Sequence, residues 1–478
     1  MLTARRLRIE LAGRGKAEAG VVLVQEGGEI PPFCCLAAVA DGFTGAVGQA
    51  CLVLAGAVPT LLVGLGRAPD RAAVEAAGAV SVARLARFGR VRADLSGISV
   101  ELAAGFALGA ALRMPVGDFR TREDEEAPRI ARLDVAVGDR AGWAVAWRRA
   151  EAVLEGVLLA RRLVSLPGNF LNPVSFCNQI AKLEKLGLTL EVLTGKALRR
   201  AGLGGLMAVG QGSESPPALA VLRWKGTLDL KPVVFVGKGI TFDTGGVSIK
   251  PAEGMWDMRA DMAGSAACVG AMVALARRGS VAPAIAVLAL AENAIGARSY
   301  RPGDVLWMHG GRSVEIIDTD AEGRLVLGDA ISWAVERFAP RAVIDLATLT
   351  GAIVVALGHE YAGLFGNDAG LAAHVAAAGC SVGEGVWEMP IGDTHRDDLK
   401  SDIADLRQCV PGRGQPDACH AAAFLREFAG ETKWAHLDIA GVEMWDDAED
   451  AHPKGASGFG VRLLDALMAL RFEDLEYP

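Results

Sequence analysis

No apolar run in the 478 residues reaches the roughly 20 that a bilayer-crossing helix needs. The stretch "MLTARRLRIELAGRGK" has no apolar h-region, so a secretory route is not expected and the cytoplasm is. CxxC pairs are also missing. The eight cysteines, Cys34, Cys35, Cys51, Cys177, Cys268, Cys380, Cys409 and Cys419, are scattered and mostly in apolar settings. That favours reduced, buried thiols over a disulfide framework or a thiolate metal site. Basic charge is short as well: 49 Lys and Arg stand against 57 Asp and Glu, a formal charge of −8. A general nucleic-acid binder needs a clustered basic surface, and the short run "ARRLRI" does not supply one. Internal repeats and low-complexity segments are absent.

What remains suits a compact α/β protein: 51% hydrophobic residues, 22% charged, and 59 glycines for tight turns. The length exceeds what one hydrophobic core supports, so two domains are expected. Residues 1–145 alternate short apolar runs ("GVVLVQE", "PTLLVGLG") with alanine-rich helical patterns ("RAAVEAAGAVSVARLARF", "LAAGFALGAALRM"). They predict an α/β domain without evident chemistry. The charged stretch "TREDEEAPRIARLD" marks an exposed boundary, and a linking helix over 146–168 ends at Pro167 and Gly168.

Residues 169–478 carry the clearer strand signals: "PVVFVG" (232–237), "PAIAVLALAE" (283–292), "RAVIDLATL" (341–349) and "WAHLDIAG" (434–441). Continuous apolar runs of this kind suit strands buried on both faces. Helical patterns at 262–278 and 321–338 lie between them, which implies a mostly parallel sheet flanked by helices. Ligands of such sheets sit beyond the carboxyl ends of the strands.

The polar clusters fall at those ends. After the first run comes "GKGITFDTGGVSIKP", with Lys238, Asp243 and Lys250 on a glycine-rich loop; it lacks the GxxxxGK[ST] spacing of a phosphate loop. Asp261 in "DMRADMAGSAA" taken alone reads as a helix N-cap. "DTDAEGRLVLGD" then crowds Asp318, Asp320, Glu322 and Arg324 into seven positions. At least three of Asp243, Asp261, Asp320 and Glu322 are expected in one crevice. Clustered carboxylates repel unless cations neutralise them, and an acid/base pair of a glycosidase would need only two. The surplus points to a two-metal site.

"VGKGITFDTGGVSIKP", "MRADMAGSAA", "DTDAEGRLVLGDA", "DLATLTGA", "KWAHLDIAG" and "KGASGFGVR" together resemble the signature segments of the leucyl aminopeptidases, the two-metal cytosol aminopeptidases. The resemblance covers roughly residues 160–470; the N-terminal part matches the family's variable domain only in size and position. It implies a macro-like α/β domain followed by a catalytic α/β domain, and two divalent ions per subunit, Zn²⁺ or Mn²⁺. It assigns Asp243, Asp320 and Glu322 to one ion and Lys238, Asp243, Asp261 and Glu322 to the other, with Lys238 neutral. A hydroxide between the ions would cut the first peptide bond of substrates with a free N-terminus, leucine-like residues preferred. The resemblance also implies that Lys250 steadies the oxyanion, that Arg324 holds a bicarbonate proton shuttle, and that Met258, Thr348, Gly351 and Ala440 line the side-chain pocket. It further implies a homohexamer of two trimers.

Three departures stand out. Asp318 replaces the family's usual Asn and is expected to face solvent. Pro416, Asp417 and His420 are bulkier and more polar than the small residues expected there, which reads as altered packing near subunit contacts or the site rim. Glu443 lies where an apolar residue is common, and facing inward it would shift preference toward polar or basic N-terminal residues. His309 and His436 read as turn and sheet residues. His359 follows a strand, and Cys34–Cys35 reads as core. Two other readings remain: a DNA-binding or scaffolding member of the same family, disfavoured by the acidic balance, and a pseudoenzyme, which would have lost a ligand, Lys250 or Arg324.

Overall fold

The computed structural model describes residues 6–13, 15–117, 119–121, 128–412 and 414–473. The chain divides into two compact units, Met1–Leu154 with Trp445–Gly455, and Glu155–Met444 with Ala456–Pro478. Residues 122–127 of the charged boundary stretch lie outside the described residues.

In the first unit, β1 (Arg8–Leu11), β2 (Ala19–Val24), β3 (Ala50–Val53), β4 (Thr60–Gly64), β5 (Arg90–Asp94) and β6 (Arg132–Ala136) form a sheet ordered β1-β6-β5-β2-β4-β3. Every pairing is parallel except β3 with β4. Helices α1 (Arg71–Arg84) and α2 (Val100–Leu112) start at Asp70 and Ser99, whose side chains accept from the backbone N–H three residues on. They meet backbone to backbone: a Cβ on Gly78 would lie 1.9 Å from the Phe106 carbonyl oxygen, and one on Gly109 1.9 Å from that of Glu75. The chain passes between the units within α3 (Arg140–Val164), and Pro167 follows its end.

The second unit is built on β7 (Thr189–Thr194), β8 (Ala218–Trp224), β9 (Val233–Asp243), β10 (Ala284–Asn293), β11 (Ala342–Ala347), β12 (Ala362–Gly366), β13 (Val386–Glu388) and β14 (Trp434–Asp438). Their order is β13-β12-β14-β11-β9-β10-β8-β7. The four central strands, β14, β11, β9 and β10, are parallel, as their continuous apolar sequences imply. The flanks depart from a parallel sheet: β8 runs against β10 and β7, and β12 against β14. His436, on β14, is a sheet residue with a local partner, its Nδ1 lying 2.6 Å from Asp345, which also accepts from the Trp434 indole at 2.6 Å.

Helix α4 (Ala263–Arg278) presses on this sheet through small residues. A Cβ on Gly264 would fall 2.0 Å from the Leu346 carbonyl oxygen on β11, and one on Gly237 of β9 would meet Ser265 Cα at 2.5 Å. With backbone on both sides nothing can give way. Gly264→Ala should therefore destabilise the protein by about 3 kcal/mol or more, read as a lower urea midpoint; an unchanged midpoint would contradict this packing. The helical stretch Met255–Arg278 does satisfy the length and composition of a membrane span, contrary to the sequence expectation, but 89% of its apolar window is buried in the protein, as a core helix is.

Helix α5 (Gly323–Phe338) is pinned from its middle: Asp329, fully buried, accepts from the backbone N–H of Leu206 at 2.9 Å and of His309 at 2.8 Å. His309 also sits 2.8 Å from Ser332 Oγ, a turn residue as expected. The parallel strands thus deliver Asp243, Asn293, Thr348 and Asp438 at or just past their carboxyl ends, with α5 entering beside them.

Candidate metal centre

Lys238 lies within β9, and Asp243 is its last residue. The lysine reaches its place past Gly323, the first residue of α5: a Cβ there would sit 2.8 Å from Lys238 Nζ. This is the physical use of glycine between Glu322 and Arg324. The loop after Asp243 turns on Gly245 (φ +85°) and Gly246 (φ +66°), conformations that favour glycine, and brings Lys250 back. Across from it, Asp318 is half-buried and accepts the Asp320 N–H at 2.9 Å, so its carboxylate closes the turn that presents Asp320 and does not simply face solvent.

Six side chains meet. Lys238 Nζ lies 2.8 Å from Asp261 Oδ1 and 2.9 Å from Glu322 Oε1, and donates to the Thr348 carbonyl at 2.8 Å. Lys250 Nζ lies 2.9 Å from Asp243 Oδ2 and 2.5 Å from Asp320 Oδ1. Asp243, Asp320 and Glu322 each offer an oxygen within 4.8 Å of the others. All but Asp320 and Lys250 are buried. Asp261 is not the N-cap of α4: Met262 holds that position, and the Asp261 carboxylate faces Lys238 and accepts from Thr348 Oγ1 at 2.7 Å.

Four carboxylates here share two ammonium groups, an excess of negative charge inside a desolvated crevice. Burial and the charges of Asp243 and Glu322 push Asp320 up to about 7 despite Lys250. Burial, with the neighbouring carboxylates, also raises Glu322 and lifts Asp261 well above the usual range. Burial alone would lower both lysines, but the surrounding carboxylates outweigh it and hold them above their ordinary value. Without a divalent ion Lys238 is therefore an ammonium; as a ligand it would have to shed its proton to the incoming cation. Asp261 Oδ2 and Glu322 Oε2 are buried with no hydrogen-bond partner. Unsatisfied anionic oxygens, a charge deficit and an all-oxygen-plus-amine donor set fit divalent cations.

Two supporting residues escape a sequence reading. Asn293, at the end of β10, donates to Asp243 Oδ1 at 2.8 Å and to the Thr319 carbonyl at 3.0 Å, which Tyr300 also reaches at 2.8 Å. Asp438, the last residue of β14, accepts from Leu349 N at 3.0 Å, Thr350 Oγ1 at 2.7 Å and Ala440 N at 3.3 Å. It thereby ties together the segments that carry Thr348, Gly351 and Ala440. Thr348 touches the cluster itself; Gly351 opens helix α6 (Gly351–Leu357), Ala440 follows β14, and Met258 lies in the turn before Asp261. His359 is anchored to the Gly441 carbonyl at 2.8 Å. The backbone carbonyl of Glu443 accepts from Ser457 N at 2.9 Å.

Arg324 is buried. Its two terminal nitrogens donate to the Gln408 carbonyl at 3.0 Å and to Asp417 Oδ1 at 2.8 Å. The guanidinium thus already holds a carboxylate, and a free bicarbonate would have to displace it or share the cation with a like charge. Arg324 Nε is buried without a hydrogen-bond partner, so an incoming anion would meet this one donor with the Asp417 carboxylate already on the neighbouring nitrogen.

The pattern described as "Cytosol aminopeptidase family, catalytic domain" matches residues 158–465. A probable cytosol aminopeptidase of Gluconobacter oxydans is 44% identical over 461 residues, covering 96% of this chain and 92% of its own. Another, of Brucella ovis, is 43% identical over 479 residues, 95% of this chain and 96% of its own. Among solved structures, the bottromycin maturation enzyme BotP in complex with Mn is similar with a TM-score of 0.84 at 35% identity, over 95% of this chain and all of its own (100%).

Proposed function

The chain belongs to the cytosol aminopeptidase family and is a metal-dependent aminopeptidase; from that premise we propose that it strips leucine-like N-terminal residues from peptides, using two divalent ions per subunit. The observation that carries the site assignment is the buried excess of carboxylates over ammonium groups around Lys238 and Lys250. Asp243, Asp320 and Glu322 would hold one ion, and Lys238, Asp243, Asp261 and Glu322 the other. Zn²⁺ or Mn²⁺ suits this donor set, and the similar enzyme solved with Mn supports manganese. Bound there, the ions would polarise the scissile carbonyl and activate water.

The chain's own residues do the rest. Lys250, partly open at 21% side-chain exposure, presents an ammonium where negative charge develops on the substrate oxygen. Asn293 and Thr348 orient Asp243, Asp261 and Lys238 through the hydrogen bonds described. Met258, Thr348, Gly351 and Ala440 would receive the first side chain. The same proposal takes 1–145 as an N-terminal domain, 146–168 as a linking helix and 169–478 as the catalytic domain, in a cytoplasmic homohexamer. A DNA-binding or scaffolding role is not favoured, the formal charge being −8.

The test is a panel of amino-acid nitroanilides with and without N-acetylation, assayed with the metal-loaded enzyme. Unblocked leucine-like substrates should turn over and acetylated ones should not. Equal cleavage of both would end the aminopeptidase reading.

A further inference from the structure

We infer that Asp417 is a built-in anion for Arg324, so that this centre carries its own carboxylate where the family resemblance calls for a free bicarbonate. The inference rests on the aminopeptidase reading of the site and concerns what makes Arg324 work.

Arg324 is two residues beyond Glu322, in the first turn of α5, and its side chain is only 2% exposed. A guanidinium removed from water in that way needs a counter-charge. The chain supplies one from helix α7 (Asp417–Ala429), whose first residue is Asp417. A carboxylate is favoured there by the helix dipole, and the helix is held in place by a buried face that includes Ala418, Ala421, Ala422 and Phe424. The Asp417 side chain remains 40% exposed while its Oδ1 lies 2.8 Å from Arg324. The other contact of Arg324, the Gln408 carbonyl, belongs to a residue whose side chain bonds the backbone of Ile317 and Asp318. Arg324 and Asp417 are therefore tied to the loop that presents Asp320 and Glu322.

A tethered carboxylate competes with a dissolved one at a large effective concentration, and a second anion beside it would be repelled. A small residue at position 417, as the resemblance leads one to expect, would leave the arginine open. Asp417 closes it. It is a positioning residue: it neutralises Arg324 and sets its orientation, and hydrolysis becomes independent of bicarbonate.

The experiment uses the Mn²⁺-loaded enzyme, D417A and D417N in buffer depleted of carbon dioxide, with bicarbonate or formate titrated in. The parent's rate should stay flat. D417A should lose about tenfold or more in kcat with KM little changed, the size expected for one charge-assisted hydrogen bond, and should recover with either anion. D417N, which keeps the shape, should lose rate with weaker recovery. In parallel, ¹³C-bicarbonate binding followed by NMR should appear in D417A and be absent in the parent. Stimulation of the parent several-fold by bicarbonate, an unchanged D417A, or loss without rescue in both variants would overturn the inference. Absence of hydrolysis by every form with every unblocked substrate would instead sink the aminopeptidase reading, and the NMR arm would still decide the fate of Asp417.

Discussion

Asp261→Asn will bind one divalent ion per subunit where the parent binds two, and its kcat/KM will fall by more than about 100-fold, beyond what loss of a merely supporting group around a metal causes. Asp261 is placed in only one of the two proposed ligand sets, whereas Asp243 and Glu322 serve both, so its loss should empty one position and leave the other. Its Oδ2 is buried and has no hydrogen-bond partner, while its Oδ1 is held by Lys238 and Thr348. An amide oxygen can keep the Thr348 bond, so the fold should survive. The sign of the charge effect supports this. Burial, with Glu322 and Asp243 nearby, raises the Asp261 carboxyl well above its usual value, so its ionised form is uphill in the metal-free fold and a neutral replacement relieves that penalty. The metal-free variant should accordingly melt no lower than the metal-free parent, whereas the rise in Tm on adding Mn²⁺ should shrink. Chelation should abolish hydrolysis in both, and added Zn²⁺ or Mn²⁺ should restore it in the parent. A variant that keeps two ions and full activity would remove Asp261 from the ligand set.

The parts of this site legible in the sequence are those whose physics is local. The four central strands are buried on both faces and so read as continuous apolar runs, and the carboxylates are visible because they crowd into the short segments at the strand ends. Partners brought together by the fold are different. Arg324 and Asp417 are separated by 93 positions, and Asn293 looks in sequence like a polar residue closing a strand. The antiparallel flanks are also hidden, because β8 and β12 have the same apolar character as their parallel neighbours and the half-exposed β7 carries no mark of its direction. Even Asp318 needed the structure: an acidic residue in a turn usually reads as solvated, and only the geometry shows its carboxylate accepting the Asp320 N–H.

Lys250→Ala should lower kcat by about 10²–10³-fold while both metal ions stay bound and KM changes little, which is the magnitude seen when one donor to a developing oxyanion is removed. The two lysines are not equivalent in the structure. Lys238 has 4% of its side chain exposed and is enclosed by Asp261, Glu322 and the Thr348 carbonyl, so it has no free direction in which to meet a substrate. Lys250, 21% exposed, reaches the same cluster from its loop, where its ammonium lies against Asp243 and Asp320. With cations on those two carboxylates, the Lys250 ammonium would be the donor free to turn toward the crevice. Lys238→Ala should therefore reduce metal content, and Lys250→Ala should not. Lys250→Arg should fail to restore the rate, because a planar guanidinium cannot place a compact point charge on the short span between Asp243 and Asp320. Metal analysis alongside steady-state kinetics separates the two lysines. If Lys250→Ala loses metal and rate together, or loses neither, Lys250 does not act on the substrate.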